Sequence, residues 1–435
     1  MISDYKVKII NFLSVTIILK KIKKIQELLL GYRYNYDRLK NECIVNKVHL
    51  KFKKKIDHEN EETRLIARTI AHYESHLELR PLSSIIFFEI LSYFLFPAFI
   101  LFHFFKFLPS RRAYIKKQIG GIKCVFPERW KINKELFITP DLLKEENIKT
   151  YPMTNSSLNF TDIVNIFILI LKVIKYRNPY PIQLALKCAM DISKVRPVLN
   201  KNAPRFILVY WEFSCSLSFL TYILHRQNIK LYNVMHGDKH FYAKHAFFEV
   251  DKCFCWNNYY IKLFRNVHAR SEFVRFENPA FRITSDEAKW LEKNKPDKIG
   301  IVAPHTSTLS DNPNELSKYI IKFSQALNNL ALENNLIIRT HPHYNDDFKV
   351  FLQYLSKDIT IEKPSERKAR FFILESRVII GTVSSILLEA AHLNKNVITI
   401  DTPAIETVQN YHYIYNLPNV HNTNLNSLYE TIYSL

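Results

Sequence analysis

Residues 298–435 constrain the fold of this 435-residue chain more than any other feature, because short apolar runs and amphipathic stretches alternate there without a break. KIGIVAP (298–304), NLIIRT (335–340), DITIEK (358–363), RVIIGT (377–382) and NVITID (396–401) read as strands. Between them lie four stretches of helical period, the last being SSILLEAAHLNK, and NTNLNSLYETIYS reads as a closing helix. Continuous apolar strands alternating with helices predict a parallel sheet covered on both faces. An earlier segment has the same character. RFILVYW (205–211), IKLYNVM (229–235), KCFCW (252–256) and EFVRFEN (272–278) read as strands, and Pro279 closes the last. The expected protein is α/β, with two parallel-sheet units joined near 280–297. Its expected boundaries are a helical, basic region over 1–125, an N-terminal unit over 126–290 and a C-terminal unit over 291–435. Residues 1–80 read as helical, the stretch with Pro127, Pro140 and Pro152 as loop, and 160–176 as an amphipathic or buried helix.

Composition narrows what these sheets can bind. The chain holds six glycines, at 31, 120, 121, 237, 300 and 381, where average usage would give about thirty. Their spacing excludes the dinucleotide fingerprint, the Walker A loop and the kinase glycine loop. A bound nucleotide would have to be held by other means. The six cysteines include no C-x-x-C pair, and Cys253 and Cys255 fall on one face of a strand, as core thiols would. No metal site or disulfide framework is expected, and the cysteine usage suits a reducing, cytosolic compartment. Lys and Asn interrupt the apolar runs of the N-terminus, so a signal-peptide layout is not expected.

The net charge of +20 is unevenly placed. Residues 1–296 carry 49 Lys and Arg against 27 Asp and Glu, while residues 297–435 carry 12 against 14. Within the basic part, residues 85–105 read IIFFEILSYFLFPAFILFHFF, followed by Lys106, Arg111, Arg112, Lys116, Lys117 and Lys123 with no acidic residue among them. The run is long enough to cross a bilayer, but Glu89 would cost about 2.5–3.5 kcal/mol at its centre and Pro97 interrupts helix bonding. An embedded or interfacial helix at an anionic, cytoplasmic leaflet is expected. A nucleic-acid partner is not, since the basic residues flank an apolar helix rather than stacking platforms.

Ligands of open parallel sheets bind beyond the carboxyl ends of the strands. In the C-terminal unit those ends carry His305 and Thr306, His341-Pro342, Gly381-Thr382 leading to Ser384 and Ser385, and Asp401. Ser384 or Ser385 can cap the helix they open, whose free N–H groups and dipole suit a phosphate. Glu389, one turn on, could accept from a ribose. Pro342 keeps His341 extended at its strand end, where the imidazole can donate to a phosphate or protonate a leaving group. In the N-terminal unit Gly237 permits a left-handed turn that presents His236 and Asp238. Asp238 or Glu212 can act as general base, with His236 as a binder or an alternative base. Glu249 and Asp251 precede their strand, at the opposite edge of the sheet.

The ordered set of H-G after an N-terminal strand, H-P after the second C-terminal strand and S-S opening a later helix resembles bacterial GT-B glycosyltransferases of surface polysaccharide synthesis. The similarity is greatest to enzymes using CMP-activated acidic sugars, the capsule Kdo transferases and the sialyl- and polysialyltransferases. It covers about residues 204–403. The resemblance implies two Rossmann-like domains facing a cleft, with the N-terminal helical region as a membrane-associating extension. It implies metal-independent sugar transfer without a cofactor, from a nucleotide-sugar donor to a glycan or glycolipid acceptor at the inner-membrane surface, in capsule or lipopolysaccharide synthesis. By resemblance the CMP phosphate falls to His341, Ser384 and Ser385, with Thr382, Glu389, His305 and Thr306 around it, and the acceptor to an acidic residue, Asp238 or Glu212. The chain departs from the sialyltransferase pattern in lacking a clean acidic-acidic-glycine motif. Polymerases that transfer glycerol phosphate from CDP-glycerol share a similar layout and form the alternative.

Overall fold

Two six-stranded, wholly parallel sheets organise the chain. The computed structural model describes residues 38–114, 124–128, 148–152, 156–201, 204–235, 237–304, 309, 313–340, 345–382, 384–402 and 413–435. Among the described residues three helices come first: α1 (Arg38–Ile56), α2 (Glu61–Leu77) and α3 (Leu82–Tyr114). The first sheet and its helices follow as β1 (Cys124–Glu128), β2 (Ile148–Pro152), α4 (Phe160–Lys175), α5 (Pro181–Lys201), β3 (Phe206–Val209), α6 (Leu217–His225), β4 (Lys230–Val234), β5 (Glu249–Cys255), α7 (Asn258–Asn266) and β6 (Arg270–Arg275). Its strand order is β2-β1-β3-β4-β5-β6.

A connecting helix, α8 (Ser285–Lys293), leads to the second unit. That unit runs β7 (Lys298–Val302), α9 (Pro313–Ala331), β8 (Leu336–Arg339), α10 (Asn345–Leu352), β9 (Thr360–Glu362), α11 (Ala369–Glu375), β10 (Ser376–Gly381), α12 (Ser385–His392), β11 (Asn396–Ile400), β12 (Val420–Thr423) and α13 (Leu428–Tyr433). The order β12-β11-β10-β7-β8-β9 makes the protein a two-domain, GT-B-like α/β fold of Rossmann-like sheets.

The apolar strand runs have their expected cause. In the second sheet Ile299, Ile301, Ile338, Ile380 and Ile398 pack with Phe323 of α9 and Phe351 of α10. Their alternates Val302, Ile337, Ile379 and Val397 pack with Phe372, Leu387 and Leu388 on the other face. Both faces are covered, so both sets of side chains must be apolar. A Cβ at Gly300 would run into Ser376 Oγ of β10 and lie 2.8 Å from Phe372 Cζ of α11, so glycine lets both pack against β7.

Three strands differ from the sequence reading. β1 and β2 occupy the proline-bearing stretch read as loop, and the expected boundary at 125/126 falls inside β1. Pro127 is tolerated because β3 pairs only with Cys124 and Val125, while Pro152 ends an edge strand. β12, the other, is an edge strand of sequence VHNT with little apolar signal.

The described helices before β1 share the core of the first unit. α2 is buried along its length, from Leu65 to Ala71. Its polar groups are used inside: Arg68 Nη1 donates to His268 O (2.7 Å), Ser75 Oγ to Ala243 O (2.8 Å), and Arg64 Nε pairs with Glu249 (3.0 Å). Glu249 and Asp251, at the amino edge of β5, thus hold helices rather than ligand. Cys253 and Cys255 are buried free thiols with Sγ atoms 4.0 Å apart.

His225 joins three elements, with Nδ1 at 2.5 Å from Glu61 of α2 and Nε2 at 2.9 Å from Asp251 of β5. The Asp251 hydrogen bond raises the imidazole above its ordinary pKa of 6.5 against the lowering effect of burial. A raised folded-state pKa means stabilisation complete below about 6.5 and lost as pH rises through the higher folded value. The stability gap between wild type and His225→Gln is therefore expected to be larger at about pH 6 than at about pH 9. Urea denaturation at both pH values measures it, and an equal gap would remove the charge from the account.

Candidate functional site

Residues that follow β5 at the carboxyl edge of the first sheet meet Tyr413 of the second unit in a cluster of rings. After β4, Gly237 adopts φ +66° and turns the chain, so Asp238 follows at the sheet edge, half-buried. Its Oδ1 accepts from Tyr260 Oη at 2.5 Å and from the Lys239 amide at 2.8 Å. Tyr260 comes from the first turn of α7, which Asn257 caps by accepting from the amides of Tyr259 (2.9 Å) and Tyr260 (3.3 Å). The strand end therefore fixes the helix, and the helix fixes the phenol. Tyr260 is fully buried, and burial followed by the Asp238 charge pushes its phenol well above the usual range. The proton stays on Tyr260, which donates to Asp238.

Glu212, beyond the end of β3, lies deeper. It is 0% exposed, with Oε1 at 2.9 Å from Lys239 Nζ and Oε2 accepting from Asn233 Nδ2 at 3.2 Å. The same Asn233 accepts from the Trp211 amide at 2.8 Å. This buried ion pair holds the segment after β4 against the end of β3. Of the two carboxylates, Asp238 is the one an acceptor can reach.

In the second unit β10 ends at Gly381. A Cβ there would lie 3.0 Å from Val302 Cβ and 3.3 Å from Leu387 Cδ1, so glycine lets β7 and α12 close against the strand end. Ser384 is the N-cap of α12, extended at φ −153°, and its Oγ accepts from Leu387 N at a long 3.4 Å. Thr382 is half-buried and Ser385 exposed at the same helix start. Glu389 receives Arg370 Nη1 at 3.1 Å, and Arg370 also donates to Glu287 (2.8 Å) and Ala280 O (2.6 Å). Burial raises the Glu389 pKa, and Arg370 partly offsets that. Arg370 thereby ties α12 to the connecting segment around α8.

The two sides are joined by rings. Tyr413, after β11, lies 5.4 Å from Tyr259 and 5.6 Å from Tyr260, and His392 of α12 stacks on Phe281 at 3.9 Å. Tyr415 is pushed up to about 12, first by burial, against a hydrogen bond with Thr399, with the Asp401 and Asp238 charges adding to the rise.

His236, His341, His305 and Thr306 lie outside the described residues. Of the other expected site residues, Asp238 and Glu212 gather at one edge and Thr382, Ser384 and Ser385 at the other, whereas Glu389, expected to accept from a ribose, is paired with Arg370. Tyr260, Lys239 and Arg370 escaped the sequence reading. Asn257 two and three residues before a Tyr pair was the available signal for Tyr260, whereas nothing local marks Arg370. Among the described residues no three His, Cys, Asp or Glu side chains converge as a metal site requires.

The sequence matches no protein-family profile and no curated protein. Solved structures do align with it. The UDP-GlcNAc 2-epimerase of Methanocaldococcus jannaschii, in complex with UDP-GlcNAc and UDP, aligns at TM-score 0.46 and 16% identity over 72% of this chain and 91% of that one. MurG of Acinetobacter baumannii aligns at 0.33 and 13% over 72% and 91%. A sialyltransferase of Photobacterium damselae aligns at 0.28 and 11% over 72% and 94%. These likenesses are distant, and the two-sheet architecture stands on the strand order itself.

Proposed function

We propose that the protein is a metal-independent glycosyltransferase that moves a sugar from a CMP-activated donor to a lipid-linked or polysaccharide acceptor. Two observations support this reading: Asp238, half-buried, follows the end of β4, and the helix start at Ser384 follows the end of β10, so a base and an anion site each stand at the carboxyl edge where parallel sheets bind ligands. Asp238 takes the proton of an acceptor hydroxyl, whose oxygen forms the new bond to the anomeric carbon. The bond from that carbon to the phosphate oxygen breaks, and CMP leaves with the electron pair. The N–H groups of α12 and the hydroxyls of Ser384 and Ser385 stabilise the departing phosphate. His341 donates to the same phosphate, a role that rests on the resemblance. Capsule or lipopolysaccharide synthesis at the cytoplasmic face of the inner membrane is the proposed setting.

A thermal-shift panel of CMP, CDP, UDP and GDP tests the donor. CMP at about a hundredfold excess over its Kd should stabilise the wild type by roughly 2.7 kcal/mol. Ser384→Ala combined with Ser385→Ala should abolish most of that rise. Stabilisation by UDP alone would overturn the CMP donor, and an equal response of the double variant would overturn the site.

A further inference from the structure

We propose that α3 and α4 together form a footing that lies flat in the interface of an anionic bilayer, with a lipid hydrocarbon tail seated in the groove between them. This sharpens the membrane setting proposed above but stands on the two helices alone and uses nothing of the transfer chemistry.

α3 turns its polar residues towards the protein. Glu89 is 6% exposed, and its carboxylate accepts from the amides of Ile182 (3.0 Å) and Gln183 (2.8 Å) in the first turn of α5. Ser92 Oγ donates to Phe88 O (2.6 Å), and His103 Nδ1 meets Ser156 O (3.2 Å). The other side presents Phe87, Ile90, Phe94 and Phe105 to the exterior, Phe94 at 76% exposure. Were α3 to cross a bilayer, the capped end of α5 would be drawn in with it. A helix lying in the interface leaves that packing intact.

α4 repeats the arrangement. Asp162, Asn165, Ile166, Leu169 and Val173 face inward. Phe160, Val164, Phe167, Leu171 and Ile174 recur every three or four residues and are exposed, Phe160 and Leu171 by 70% and 67%. A helix apolar on both sides has a second apolar partner. Between the helices lies a cavity of about 630 Å³, lined by apolar side chains including Phe96, Ile100, Phe104, Phe167 and Ile170. That volume lies within the span of roughly 300–1,000 Å³ typical of small-ligand sites. Charge selects the occupant: Lys175 and Arg177 are exposed at the end of α4, in a region of 49 basic against 27 acidic residues. Apolar side chains with cations at one end suit anionic headgroups with hydrocarbon beneath.

Co-sedimentation of the full chain with phosphatidylcholine vesicles, with and without phosphatidylglycerol, tests the footing. Binding should require phosphatidylglycerol and fall with added salt. Phe160→Ser with Leu171→Ser, both at exposed positions, should weaken it by on the order of tenfold or more. Orientation is read separately by nitroxide depth at Phe94→Cys and Leu171→Cys, with the exposed Cys43 replaced by Ser. Both labels should sit roughly 5–10 Å below the phosphates. A Phe94 label near the bilayer centre would replace the flat footing with a span. Failure to bind anionic vesicles, or unchanged binding by the double variant, would overturn the proposal. A dimer in solution that the double variant dissolves would assign the face to a second copy instead. None of these readouts involves a nucleotide, so failure of the proposed transfer would leave them standing.

Discussion

Asp238→Asn is expected to lower kcat for sugar transfer by about 10²–10⁴-fold, the usual contribution of a positioned general base, while the CMP-induced rise in Tm persists. The amide keeps the shape and can still accept from Tyr260 Oη and the Lys239 amide, both of which now meet a carboxylate oxygen. What it loses is the capacity to take a proton. Tyr260→Phe separates positioning from chemistry, because the ring stays in its buried site and only the hydroxyl is removed. A hydrogen bond to a charged group contributes about 1.5–3 kcal/mol, so a loss in kcat of roughly ten- to a hundredfold with little change in KM is expected. Glu212→Gln should behave differently, since it leaves Lys239 facing a neutral group inside the protein. Lower stability, rather than a selective fall in kcat, should be its main effect. If Asp238→Asn retains full kcat, the base is not Asp238, and the pair beneath it or His236 inherits the role.

The strand–helix alternation of the C-terminal unit is legible because both faces of its sheet are covered, which forces unbroken apolar runs such as IGIV in β7, VII in β10 and VITI in β11. β1, β2 and β12 are not, because a strand with a single neighbour or a short pairing tolerates Pro127, Pro152 or the polar VHNT. The site divides in the same way. Ser384 and Asp238 follow strands directly, so their placement at the sheet edges could be read from order alone. Tyr260 and Arg370 act across distance: one reaches back 22 residues to Asp238, the other spans 83 residues to Glu287. No period in the sequence encodes such a meeting. Residues 85–105 show the remaining limit. Their apolar character was evident, but that Glu89, Ser92 and His103 share the inward side depends on α5 and on the segment before α4.

Arg196→Ala should be among the most destabilising single changes in the N-terminal unit. Asp162 is 0% exposed and Arg196 3%, and the guanidinium grips the carboxylate through both Nε, at 2.7 Å from Oδ2, and Nη2. Asp162 also closes the capping box of α4, accepting from the Asn159 amide at 3.0 Å, and Arg196 Nη1 donates to Gln227 at 3.0 Å. One pair therefore fixes the start of α4, its contact with α5 and the turn after α6. Removing the cation leaves a buried carboxylate with a single backbone donor, for which a cost of about 3–5 kcal/mol is usual. At roughly 2–4 °C per kcal/mol for a unit of this size, the N-terminal transition should fall by on the order of 10 °C. Asp162→Asn added to Arg196→Ala removes the stranded charge, so the double variant should be less destabilised than the sum of the two single changes. Calorimetry of all four proteins measures this. Additive losses would mean that the two side chains stabilise their helices separately, and the pair would then not be what holds α4 to α5.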